Sequence, residues 1–175
     1  MTEVERLLAA NEGYAAARAN LADARPSLHL AVLTCMDARI DVFDVLRLNR
    51  GEVHVLRNAG GVATEDMLRS LAISQRKLGT REVLLVQHTR CGLATFTDDE
   101  FSDELATDVG ARPSWRAGTF TDPVTSVRRG IARIRRDPFL MKDTTVRGFV
   151  VDVEGFDLAE VQPGDLQEGD SGTVV

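Results

Sequence analysis

The sequence has 175 residues, 43% of them apolar and 27% charged, which bounds it to one globular domain with a sizeable core, with or without tails. Its formal net charge of −6 argues against a nucleic-acid or anionic-membrane surface, and no apolar run approaches the ~20 residues that span a bilayer. Two cysteines, Cys35 and Cys91, are too few for a disulfide framework and are read as free, metal-bound or catalytic. The acidic N-terminus, MTEVERLLAANEGY, lacks an apolar stretch of signal-peptide type, so a cytoplasmic location is expected.

Residues 2–24 read as a helix. Thr2 and Glu5 make a capping-box pattern, and alanine and leucine dominate the rest of the segment. Its alanine-rich surface is a poor core by itself, which suggests an arm lying across another subunit. LHLAVLTC (28–35) reads as a buried strand, and IDVFDVLRL as a short helix. EVHVLRN (52–58) is a second strand. Thr64 then opens a helix with acids in its first turn, bases in its last and Gly79 just past its end. EVLLVQH (82–88) is a third strand. The segment 97–110 carries a second capping box, Thr97 and Glu100, and ends on Gly110. Asp122 and Pro123 sit at the N-cap and first position of the next helix. RGFVVDV (147–153) and DLAEV (157–161) read as a strand and its hairpin partner, and the polar tail 162–175 as flexible.

Strands alternating with helices imply an α/β fold with a mostly parallel sheet flanked by helices, preceded by the helical arm, over residues 1–161. In such sheets ligands bind beyond the carboxyl ends of the strands, which is where Cys35 and His88 fall. His88 and Cys91 form H-x-x-C, a spacing that turns both side chains toward one ion, and Cys35 arrives from a different strand end. Two thiolates and one imidazole make three zinc ligands with a fourth position open, the pattern of a catalytic zinc. Asp37 is either the fourth ligand, in a closed state, or waits beside the open position. If the extended pattern continues past Cys35, Arg39 lies on the same face as Asp37 and clamps its carboxylate through two parallel hydrogen bonds. Two thiolates cancel the charge of zinc and weaken it as a Lewis acid relative to three imidazoles. A carboxylate that accepts a hydrogen bond from zinc-bound hydroxide compensates by orienting the nucleophile.

The motifs CMDAR (35–39), RNAG (57–60) and HTRCG (88–92), in this order, resemble the β-class carbonic anhydrases from about Leu28 to Gly92, and more weakly to about residue 153. The resemblance implies zinc, one per subunit, held by Cys35, His88 and Cys91, with Asp37 and Arg39 as the catalytic dyad. It implies reversible hydration of carbon dioxide to bicarbonate and a proton, and a homodimer or dimer-based assembly with active sites near the interface. Backbone N–H groups of Asn58, Ala59, Gly60 and Gly92 are the expected substrate contacts.

Other readings carry different tests. Carbonyl sulfide or carbon disulfide hydrolysis needs the same zinc ligands, so only substrate comparison discriminates. A non-catalytic zinc-binding dimer module would keep the fourth position closed at every pH. A thiol redox sensor would show titratable thiols instead of stoichiometric zinc. Arg90, inside H-x-x-C, is expected to face solvent or a neighbouring chain. His29 and His54 are assigned to strand patterns and not to the site. NAGG lacks the spacing of a dinucleotide loop, RRGIARIRR (128–136) reads as one solvated helix face, and TDDEFSDE reads as surface helix.

Overall fold

A computed structural model describes residues 2–16, 23–162 and 164. In chain order the elements are α1 (Glu3–Ala16), β1 (Leu30–Cys35), α2 (Val42–Val45), β2 (Val53–Asn58), α3 (Glu65–Leu78), β3 (Glu82–His88), α4 (Asp98–Val109), α5 (Pro123–Arg136), β4 (Thr145–Val151) and β5 (Leu158–Val161). Single 3₁₀ turns follow β2 at Ala59–Gly61 and precede α4 at Gly92–Ala94. The sheet order is β2-β1-β3-β4-β5; the first four strands run parallel and β5 pairs antiparallel with β4. This is the mostly parallel α/β architecture read from the sequence.

Strand alternation decides which side chains meet which helices. Ala31 and Leu33, Val83 and Leu85, and Val146 and Val150 face one way and pack with Leu68 and Leu71 of α3 and Val127, Ile131 and Ile134 of α5. Val32, Val86 and Val151 face the other way, against Ile40, Val42 and the α2 region. The helix α5 packs directly over Gly148 of the sheet, where a side chain would not fit. A Cβ there would stand 2.2 Å from Val127 Cγ1 and 2.7 Å from Ile131 Cδ1.

Local signals set the helix ends. Thr97 and Glu100 complete a reciprocal capping box on α4. Asp122 accepts from the backbone N–H groups of Val124 and Thr125, and Pro123 begins α5. The helix α4 buries no residue, as its acidic sequence suggested. The arginines of α5 are less uniform than a solvated face: Arg135 and Arg136 are exposed, whereas Arg128, Arg129 and Arg133 are half-buried.

Three boundaries differ from expectation. The first strand begins at Leu30, because His29 adopts a left-handed backbone with φ 52° and cannot continue the ladder. The fourth strand spans Thr145–Val151, so it starts and stops two residues earlier than its apolar run. The N-terminal helix is described to Ala16; residues 17–22 of the expected arm lie outside the described residues, and Asp23 and Ala24 are not helical. Of the expected tail, only Gln162 and Gly164 are described.

Candidate metal centre

The parallel register brings the carboxyl ends of β1 and β3 side by side, and with them Cys35 and His88. Cys91 follows three residues later, after a tight turn in which Arg90 takes φ 54°. The ligand atoms of Cys35, His88 and Cys91 lie within 4.8 Å of one another, and all three residues are buried. The two sulfurs are 3.9 Å apart. Zinc–thiolate bonds of ~2.3 Å at tetrahedral angles would place two sulfurs ~3.8 Å apart, so the spacing suits one shared ion.

His88 is oriented for the same purpose. Its Nδ1 donates to the Thr89 carbonyl at 2.8 Å, which leaves Nε2 as the acceptor atom of the neutral ring. That Nε2 is buried and has no hydrogen-bond partner. An orphaned buried acceptor between two thiols is costly unless something electropositive occupies the space. The electrostatics say the same. The thiol contact pulls the pKa of Cys35 down against burial, with His88 and backbone N–H groups of Asp37 and Gly60 assisting. That contact and burial push Cys91 up. Burial opposes charge on His88, but its contacts with Cys35 and the Thr89 carbonyl outweigh it and raise its pKa. Three donors competing for protons in one buried space are the donor set a divalent cation satisfies by displacing those protons.

Asp37 borders the cluster, with Oδ2 3.6 Å from His88 Nε2. Both its oxygens are engaged by Arg39: Nε donates to Oδ1 at 2.9 Å and Nη2 to Oδ2 at 2.7 Å. The Arg39 guanidinium holds the Asp37 carboxyl well below the usual carboxylate range, against burial. The route to this pairing differs from the expected one. The strand ends at Cys35, and Asp37 opens a turn in which the Arg39 backbone N–H donates to Oδ1 at 2.9 Å and Ile40 N–H to the Asp37 carbonyl. Arg39 therefore reaches Asp37 by turn geometry, not by strand alternation.

Other groups hold this turn in place. Arg57 of β2 donates from Nε to the Cys35 carbonyl at 2.9 Å and from Nη2 to the Asp37 carbonyl at 2.7 Å. Arg39 Nη2 also donates to the Arg90 carbonyl at 3.1 Å, tying the β1 turn to the H-x-x-C turn. The Arg90 guanidinium itself pairs with Glu154, away from the cluster. Thr89 donates its hydroxyl to Asp152 at 2.7 Å, which anchors the carbonyl that His88 uses. Arg57 and Thr89 fall inside the RNAG and HTRCG motifs, but the sequence assigned neither a role, since Arg57 acts on two carbonyls of a distant segment and the Thr89 hydroxyl on the distant Asp152 carboxylate.

The expected substrate contacts surround the cluster in different ways. Asn58 is turned inward to brace its own loop, donating to the Val62 carbonyl at 2.8 Å and accepting from Val62 N–H at 3.0 Å. Ala59 packs with Leu93, Phe120 and the two cysteines, forming an apolar wall beside the ligand atoms. Gly60 and Gly61 are buried with φ 74° and 62°, and a Cβ on Gly61 would stand 2.7 Å from the Cys35 backbone nitrogen. Glycine is required there, and it lets the Gly60 N–H face the Cys35 sulfur. Gly92 is exposed and faces open space. His29 and His54 lie apart from the cluster: His29 donates from Nδ1 to the Gly79 carbonyl, and His54 bonds Ser74 and the Ala24 carbonyl.

Comparisons with known proteins identify relatives of this chain. The family model described as carbonic anhydrase matches residues 30–114. The chain is 48% identical over 163 residues to β-carbonic anhydrase 1 of Mycobacterium tuberculosis, covering 93% of this chain and all of that protein. The carbonic anhydrase structure from Streptococcus mutans superposes with a TM-score of 0.87 at 37% identity, covering 93% of this chain and 99% of that one. A carbon disulfide hydrolase of an Acidianus species is 30% identical over 149 residues, covering 71% of this chain and 73% of its own length.

Proposed function

The chain belongs to the β-carbonic anhydrase family, and on that premise we propose that it hydrates carbon dioxide reversibly at a zinc ion held by Cys35, His88 and Cys91. The observation that carries the proposal is the convergence of these three ligand atoms within 4.8 Å around the unpartnered His88 Nε2. Zinc bound there would supply Lewis acidity, moderated by its two thiolate ligands, that promotes the ionisation of water.

The remaining work falls to the protein. Asp37 stays ionised because Arg39 stabilises its charge, so its Oδ2 is a permanent acceptor beside the ligand atoms. It accepts the hydrogen of the attacking oxygen, fixes the direction of the lone pair and rejects any orientation that points a proton at the substrate. Arg39 and Arg57 hold Asp37 still. The wall of Ala59, Leu93 and Phe120 offers a dry surface to a linear, nonpolar gas. Backbone N–H groups of Asn58, Ala59 and Gly92 receive the oxygens as charge develops, while that of Gly60 faces the Cys35 sulfur.

The working unit is a homodimer. Val4, Leu7 and Leu8 of α1 are exposed at 65%, 56% and 64%, an apolar stripe that no described residue covers. An apolar groove of about 900 Å³ beside α3 has Ile73, Trp115 and Phe139 on its walls. A second copy's α1 fits that groove, and exchange of arms covers both surfaces.

The test is stopped-flow carbon dioxide hydration on protein of measured zinc content, with carbon disulfide and carbonyl sulfide run in parallel. Rapid zinc-dependent hydration is expected. Sulfide release far exceeding bicarbonate formation would move the chain to the chemistry named for its Acidianus relative, and zinc-loaded protein inert toward all three gases would leave only a structural role for the metal.

A further inference from the structure

We propose that the opposite end of the sheet carries a second binding site, one for a small phosphate-bearing anion. A concavity of about 440 Å³ opens beside the amino ends of β1 and β3, lined by Arg25, His29, Gln75, Arg76, Lys77 and Arg81, with Gly79 between them. The strands place it six residues from Cys35 on β1, roughly 20 Å from the metal ligands.

Its lining contains four permanent cations and no carboxylate, in a protein whose net charge is −6. Among the described residues, none of the four makes an ion pair; Arg76 and Lys77 also border the groove assigned above to a second copy's α1, whereas Arg25 and Arg81 lie outside it. Asp23, the acid nearest Arg25 in sequence, turns its carboxylate to the Arg25 backbone N–H instead. The carboxyl end of α3 accounts for Arg76 and Lys77, since cations favour a helix C-terminus. It does not account for Arg25 and Arg81, which arrive from two other segments of the chain.

The pocket is also built rather than incidental. Gln75 is buried beneath it, with its amide donating to Thr144 Oγ1 at 2.8 Å and accepting from Met141 N–H at 2.9 Å. Arg76 Nε donates to the Phe139 carbonyl at 2.7 Å and Arg81 Nη1 to the Thr80 carbonyl at 3.1 Å, so both guanidinium groups are fixed while keeping other N–H groups free of those bonds. His29 is held in its left-handed backbone conformation at the rim, its carbonyl accepting from Arg81 N–H at 2.7 Å and Glu82 N–H at 3.2 Å. A strained non-glycine residue over-determined by its neighbours is a common mark of a ligand site. Fixed guanidinium forks match the oxygens of phosphate, and four positive charges call for more than a monovalent anion.

The experiment titrates inorganic phosphate into the metal-loaded full-length protein, with chloride keeping the ionic strength constant, and follows backbone amides by NMR. Saturable shifts at Gly79, Thr80 and Arg81, with Gly92 and Leu93 unmoved, are expected. The exposed pair Arg25→Gln and Lys77→Gln should weaken phosphate by roughly tenfold or more with the rest of the spectrum intact. Glycerol 2-phosphate in a parallel titration separates sources: tighter binding than phosphate supports a phosphate ester as ligand, and equal binding supports free phosphate. Shifts that chloride reproduces, or an affinity indifferent to the double substitution, would overturn the site. So would a wild-type protein silent to phosphate whose double variant changes oligomeric state, because the cations would then belong to an interface with a second copy.

Discussion

The same strands end in opposite chemistry at their two edges. At the carboxyl edge nearly every polar group is bound: Asp37 to Arg39, Arg57 to two carbonyls, His88 Nδ1 to Thr89. The buried exceptions at this edge are Gln87 Oε1 and His88 Nε2, the latter beside the two thiols. At the amino edge four cations share a concavity and none has a carboxylate partner among the described residues. The first arrangement suits a tightly held cation because its donors are buried, few and fixed; the second is open and suits anions drawn by summed charge. Burial, more than residue type, separates a site for chemistry from a site for reversible association.

Substitutions at the carboxyl edge should sharpen this contrast by acting on chemistry and not on folding. The largest effect is expected from Cys91→Ala, which removes one of the three proposed ligands and leaves a cavity in place of its thiol. Zinc content should fall from about one equivalent per chain to near zero and hydration to background, checked by elemental analysis and stopped-flow on the same sample. A variant that kept both would break the proposed ligand set.

Asp37→Asn comes next. The amide retains the shape but loses the charge that Arg39 stabilises, and it presents an N–H where an acceptor is needed. The rate should drop by ~10²–10⁴ with zinc retained, the range typical of a lost general base or orienting acceptor. A drop in zinc content in step with activity would instead assign Asp37 to metal retention. Arg57→Gln tests the support behind it. Because Arg57 bonds only the carbonyls of Cys35 and Asp37 in this turn, its loss should lower kcat by roughly tenfold while KM for carbon dioxide stays put, with Arg57→Lys restoring part of the rate. A change confined to thermal stability would reduce Arg57 to a structural brace.

The two edges also differ in how far sequence alone revealed them. Cys35, His88 and Cys91 could be placed together because a parallel α/β sheet aligns strand ends and the motifs sit there. Asp37 and Arg39 were readable as a pair, but their geometry was not: an Asx-type turn, unmarked by glycine or proline, replaced the expected extended face. Arg57 and Thr89 lay within RNAG and HTRCG without a readable role, because their partners, two backbone carbonyls and the Asp152 carboxylate, stand on segments distant in sequence. The cationic pocket was invisible for a related reason. Arg25, Arg76, Lys77 and Arg81 are ordinary surface cations in the sequence, and only the left-handed turn at His29 and the end of α3 gather them.

The smallest expected effect concerns the helix that links the edges. The helix α5 starts near the carboxyl edge, where Ser126 bonds Gln87, and ends near the amino edge, where Arg135 bonds the Val146 carbonyl. Its cap, Asp122, is a stability device outside the chemistry. The Thr125 hydroxyl holds its carboxyl below the usual carboxylate range against burial, with the Thr125 and Val124 N–H groups and the field of Arg128 assisting. A carboxylate depressed in the folded state contributes stability above its unfolded pKa of about 4 and loses it as pH falls through the folded value. Asp122→Ala should therefore cost about 1 kcal/mol at neutral pH, read from denaturant midpoints with unchanged slope. The gap between variant and wild type should close as pH falls below that range, while the hydration rate per folded molecule stays the same. A gap that persisted undiminished in acid would mean that the hydroxyl contact and packing of Asp122, rather than its charge, hold the start of α5.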